Sequence, residues 1–203
     1  MEYDPNDRIG FYPIFYLGKL TDTITLGKEA TRKNSNTQDD IKFRHARNFT
    51  FADNSKLKIK VDTAFKLTYN LNFKSFNEQS KRIEIDSTRS YRSFMVVVQN
   101  LSDSLISIGT FNNLEEIVRQ AKDRSGNWVD IETPIEYYCA TGARDVVLEP
   151  GEIAIAKLIR YKGNFKTECR LKYSKWGRTL YSNSFTDYID SKQFSVPINK
   201  DNY

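Results

Sequence analysis

The chain has 203 residues, enough for one large domain or two small ones with a real core, and 39% hydrophobic with 13% aromatic residues exclude a disordered protein. No run approaches the roughly 20 apolar residues that a membrane-spanning helix needs. The net charge of +5 resides in residues 1–102, with 17 basic and 12 acidic side chains, while residues 103–203 carry 14 of each. A chain built to grip nucleic acid shows a larger unbalanced excess, so nucleic acid is not an expected partner.

Strand signals appear in chain order. The opening MEYDPNDRIG lacks the basic-then-apolar pattern of a signal peptide. The expected location is therefore the cell envelope or exterior if the numbering begins at a mature or trimmed form, and the cytoplasm otherwise. FYPIFYLGKL reads as a strand interrupted by Pro13, TDTITLG alternates, and TRKNSNTQDD (31–40) reads as an exposed loop. In KLKIKVDTAFKLTY, Leu57, Ile59, Val61, Thr63, Phe65, Leu67 and Tyr69 share one parity, and lysines with Asp62 share the other. That pattern predicts one buried face and one face in water. A modest boundary after FKSFNEQSK divides residues 1–80, an N-terminal extension with strands that can join the same sandwich, from the main unit at 81–203.

SFMVVVQN (93–100) is apolar on both parities, as in a central strand. LISIGTF (105–111), DVVLEP (145–150), IAIAKLIRY (153–161), FKTECRLKYS (165–174) and TLYSNSFTDYI (179–189) follow, separated by turn residues. NNLEEIVRQAKDR is ambiguous. Leu114, Ile117, Val118 and Ala121 fit helical spacing, with Asn113 and Glu116 as a capping box, yet AKDRSGNWVDI also reads as two strand ends around a turn. The expected fold is all-β, an antiparallel β-sandwich of immunoglobulin-like or jelly-roll-like type, with at most one short helix near 113–122.

Three features resemble bacterial immunoglobulin-like modules over roughly residues 83–190. They are the strand ending in Asn100-Leu101-Ser102, the Leu148-Glu149-Pro150-Gly151-Glu152 turn, and the hairpin beyond it. The antibody-type Cys…Trp…Cys order is absent, because Trp128 precedes both cysteines. The resemblance implies an envelope or extracellular β-sandwich and brings no catalytic residues.

Chemistry-bearing residues are sparse. The single histidine, His45, has no nucleophile elbow with it, and one histidine with two separated cysteines falls short of a zinc set. No catalytic residue, metal or cofactor is assigned. Cys139 and Cys169 allow one disulfide, or stay as buried thiols. Asn48-Phe49-Thr50 and Asn100-Leu101-Ser102 are sequons. Asp123-Arg124-Ser125-Gly126-Asn127-Trp128 departs from both calcium-loop and Asp-box spacing, and reads as a tight turn in which Asp and Asn bond their own backbone.

The stretch KLIRYKGNFKTECRLKYSKWGR (157–178) carries eight basic side chains against Glu168 alone. Most of them alternate with apolar residues, as on the wet face of a half-buried sheet. The loop residues Lys162, Lys175, Trp176 and Arg178, with Trp128, remain as candidate binding residues, since a tryptophan beside cations can stack on a sugar or base. The expected function is non-enzymatic: protein–protein contact or self-association, as an assembly or accessory subunit of an envelope or extracellular complex. Carbohydrate binding is the alternative, followed by a hydrolase with an unrecognised carboxylate pair and by a polyanion binder.

Overall fold

The computed structural model describes residues 10, 12–24, 43–44, 56–110, 112–135, 145–175 and 177–194. His45, Asn48, Cys139 and Trp176 lie outside the described residues. In chain order the strands are β1 (Ile14–Lys19), β2 (Phe43–Arg44), β3 (Leu57–Asn77), β4 (Arg82–Asn100), β5 (Ile106–Thr110), β6 (Asn113–Leu114) and β7 (Ile117–Lys122). They continue with β8 (Trp128–Asp130), β9 (Asp145–Leu148), β10 (Glu152–Ile159), β11 (Phe165–Lys175), β12 (Arg178–Tyr181) and β13 (Phe185–Ile189). Helix is confined, among the described residues, to short 3-10 segments such as Ser191–Phe194. The fold is all-β.

Every pairing among these strands is antiparallel. One sheet runs β1-β10-β4-β3, a second β12-β11-β7-β8 with β13 also on β11, and a third β2-β9-β5-β6. A single buried cluster draws on all three, from Ile14, Val61 and Val96 through Ile106 and Leu148 to Ala121, Leu171 and Ile189. Residue 80 lies in the turn between β3 and β4, and the first sheet takes strands from both sides of it.

The segment with helical spacing is extended. Glu116 has φ 56°, a left-handed conformation that stops a helix. Ile117 to Ala121 are all buried because β7 lies inside the second sheet, between β11 and β8. Apolar residues on both faces of a strand mimic a helical stripe over so short a run. The tight turn expected between β7 and β8 forms with the Asp123 side chain alone bonding the backbone, and Asn127 takes part through its N–H. Asp123 Oδ1 accepts from the backbone N–H of Ser125 and of Asn127, both at 2.8 Å, and Gly126 takes φ 83°.

The motifs behind the immunoglobulin-like resemblance meet in space. Asn100 is fully buried; its amide donates to the carbonyls of Ser104 (2.7 Å) and Leu148 (3.0 Å), and its Oδ1 accepts from Ser102 N–H at 2.9 Å. Its own carbonyl accepts from Gly151 in the Pro-Gly turn, at 3.0 Å. A side chain so enclosed is a turn lock and offers no accessible amide for glycosylation.

β3 departs from a single buried face. Leu57, Ile59 and Val61 are buried as expected, but the register breaks between Asp62 and Leu67, and Phe65 emerges into solvent. Beyond the break, β3 and β4 run on together. β10 accompanies β4 only as far as the Ile159–Ser93 pair. From there to the Asn77–Arg82 pair the two strands form a ribbon that no third described strand joins.

Candidate interaction surface

The ribbon, or arm, is organised by its two faces. Asn70 pairs with Ser90 and Asn72 with Thr88 across the strands, and each pair is closed by a side-chain hydrogen bond of 2.8 Å. On the opposite face Arg89 lies over the Phe73 ring at 5.1 Å. A second register shift next to Phe73 and Lys74 changes the pairing toward the tip, where Phe76 stands opposite Ile83 and Lys74 opposite Ile85. Phe76, Ile83 and Ile85 are 58%, 70% and 57% exposed. Polar clasps hold the ribbon together, and its apolar tip meets water.

Where the arm leaves the body there is a groove of about 680 Å³. One wall is β4 from Arg89 to Arg92; the other is the chain leaving β10, Arg160 to Gly163, with Tyr188 of β13. Four of the lining residues are cationic (Arg89, Arg92, Arg160, Lys162), three are tyrosines (Tyr91, Tyr161, Tyr188), and none is acidic. Arg160 is compensated from behind, its Nε 3.0 Å and Nη2 2.9 Å from Asp187 Oδ1. Gly163 is required at the groove's rim because a Cβ there would overlap the backbone of Ile189.

Beneath the groove lies a buried polar knot that the sequence did not reveal. Arg119 of β7 is buried; its Nη2 donates to the Ile159 carbonyl at 2.6 Å and its Nη1 to Asp187 Oδ2 at 3.3 Å. Its Nε stands 3.3 Å from Glu132 Oε1, an ion pair by distance although the N–H is not aimed at that oxygen. Glu132 also accepts from the hydroxyls of Tyr12 and of Tyr161 (2.8 Å) and from the Arg119 backbone N–H (2.9 Å). The Arg119 guanidinium lies 4.4 Å from the centre of the Tyr161 ring. Burial alone would lower the Arg119 pKa, but Glu132, Tyr12, Tyr161 and Asp187 outweigh it and hold the group charged above its usual range. Burial, with the Glu132 carboxylate close by, pushes the Tyr12 phenol well up. Such a set is satisfied on most sides and closed to solvent, so it acts as a structural staple.

The candidate binding residues do not form one patch. Lys162 lines the groove, whereas Lys175 and Arg178 sit at the far end of β11, roughly 30 Å away along an extended strand. Lys175 Nζ lies 3.5 Å from Ser107 Oγ, and Arg178 opens β12. Trp128 is half-buried, with the cations of Arg170 at 4.2 Å and Lys122 at 5.1 Å from its ring centre. Arg170 also lies 3.8 Å from the centre of the Tyr181 ring and donates to Gln120 at 2.8 Å. Lys172 pairs with Asp130 and Lys122 with Glu168, both at 2.6 Å. On the basic face of β11, Lys172 is thus neutralised by Asp130, and Arg170 is held by Gln120 and two aromatic rings. Cys169 is a buried free thiol, pushed up to about 12 by burial, and its candidate partner Cys139 is among the residues not described.

Among the described residues no group of three or more His, Cys, Asp or Glu is placed to hold a metal ion, and no helix is long and apolar enough to cross a membrane. No protein-family model matches the chain, and no curated protein or solved structure matches it either.

Proposed function

We propose that this is a non-enzymatic β-sandwich protein that works by protein–protein contact, as an assembly or accessory subunit, with the β3–β4 arm as its contacting element. The observation that carries the reading is the arm's tip, where Phe76, Ile83 and Ile85 are more than half exposed on a ribbon with no third described strand beside it. A lone two-stranded ribbon is marginal in water, and covering large apolar side chains is worth about 25 cal/mol per Å². A partner that covers the tip therefore gains affinity and steadies the arm together. A setting at the bacterial envelope or exterior follows from the immunoglobulin-like resemblance.

The test is native purification under mild conditions, with light-scattering mass and identification of co-eluting chains, for the unaltered chain and for Phe76→Ser/Ile83→Ser. A stoichiometric complex or self-association lost in the double variant supports the reading. A lone monomer, or a complex indifferent to the substitutions, counts against it. Carbohydrate binding, the alternative, draws little support from Trp128, whose ring already meets Arg170 and Lys122; it would rest on the groove tyrosines.

A further inference from the structure

Among the described residues, β4 carries an open edge at the groove. The Arg92 carbonyl accepts from Arg160 N–H at 2.9 Å, which fixes the side of β4 facing β10. Backbone polar groups alternate along a strand, so the N–H and C=O of Ser90 and Thr88 point the same way. Among the described residues no strand pairs with β4 there, because β10 has ended and the chain turns off through Tyr161. The edge is thus a template for strand addition.

Resting on the assembly reading above, we propose that this edge binds an extended, acidic segment of a partner protein, which adds to β4 antiparallel and in line with β10. The charge around the edge selects the occupant. Arg89 and Arg92 lie on opposite faces of the ribbon at the groove, and no acidic residue lines it among the described residues. A strand with acids at successive positions meets a cation on either face. A second copy docking edge to edge would bring Arg89 and Arg92 against their own kind, a like-charge pairing that destabilises a sheet. The apolar tip lies further out and can be engaged by the same partner.

The probe is a displayed library of random peptides about 12 residues long, enough to span the open edge at some 3.3 Å per residue. It is panned on the full chain and on Arg89→Glu/Arg92→Glu, two exposed groove-lining positions outside the knot. The expected winners are acidic and are lost on the double variant. A winning peptide is then labelled, N-methylated at alternate amides, and measured by fluorescence anisotropy. Methylation in one register should weaken binding about tenfold or more and in the other only slightly, since only one set of amides faces β4. Acidic peptides indifferent to both registers would show plain polyanion attraction and overturn strand addition. Failure to enrich, or winners untouched by the charge reversal, would overturn the site itself. If the edge fails while Phe76→Ser/Ile83→Ser still abolishes the native complex, the assembly reading stands alone; if both fail, that reading falls with it.

Discussion

Replacing Glu132 by Gln keeps the shape of the knot and removes its central charge. The carboxylate accepts from two tyrosine hydroxyls and the Arg119 backbone N–H, and faces the Arg119 Nε at 3.3 Å. An amide offers one accepting oxygen where the carboxylate had two, and turns an N–H₂ group toward groups that donate. Breaking a buried ion pair costs about 3–5 kcal/mol. Asp187 and the Ile159 carbonyl still hold Arg119, which places the expected loss near the lower end, about 3 kcal/mol.

With a urea slope of about 2 kcal/mol/M, that loss moves the unfolding midpoint down by about 1.5 M. The assay is equilibrium urea unfolding followed by far-UV circular dichroism, with Tyr161→Phe as control. The control removes one hydrogen bond, accepted at 2.8 Å by Glu132 Oε1, and should cost about 1 kcal/mol. A Glu132→Gln loss no larger than that of the control would refute the reasoning, because Asp187 would then be sufficient counter-ion for Arg119.

Gly163→Ala forces a Cβ into the Ile189 backbone, where no side chain can yield; a loss of about 1–3 kcal/mol or more is expected, read as a fall in the urea midpoint. Asn183 caps the outer edge of β3, accepting from Val61 N–H at 2.8 Å and donating to the Val61 carbonyl at 3.0 Å. Asn183→Ala should cost about 1–3 kcal/mol and introduce concentration-dependent association by light scattering, since it reopens a strand edge. Burial raises Cys169 to about 12 and also raises Tyr12 and Tyr173. With folded pKa values above the unfolded ones, these groups leave stability untouched below about pH 8.5 and erode it as the pH climbs from there toward 12. A urea midpoint unchanged between pH 8 and 11 would contradict that, as would rapid reaction of native Cys169 with a thiol reagent at pH 8.

The strands were legible because their punctuation is chemical. The Asp123–Gly126 and Pro150–Gly151 turns adopt the positive-φ glycines their sequences call for, and β11 buries Cys169, Leu171 and Tyr173 on one parity as its alternation requires. TLYSNSFTDYI reads as one strand but is two, β12 and β13, both on β11. The Ser-Asn-Ser between them leaves the ladder so that Ser182 bonds Leu171 and Asn183 reaches Val61. Three consecutive turn-prone residues were the available signal. The exposure of the arm had no such signal, because Phe73 and Phe76 fall on opposite parities, as in a strand covered on both faces, and only the end of β10 at Ile159 leaves them uncovered among the described residues.

The charges of 157–178 show why composition misleads about sites. Arg160, Arg170 and Lys172 find Asp187, Gln120 and Asp130 on neighbouring strands, while Lys157 donates to the Thr68 carbonyl at 2.7 Å and lies over Phe15. None of those partners is near in sequence, so half of a run of cations that looks like a polyanion grip is engaged inside the fold. The basic groove takes only Arg160 and Lys162 from the run, and gains Arg89 and Arg92 from a strand whose alternation gave them no special standing. Arg160 and Tyr161 face the knot as well as the groove, held by Asp187 and Glu132. The buried ion pairs therefore fix the wall of the groove that faces β4, and that groove is set by where β10 stops and what anchors the residues after it.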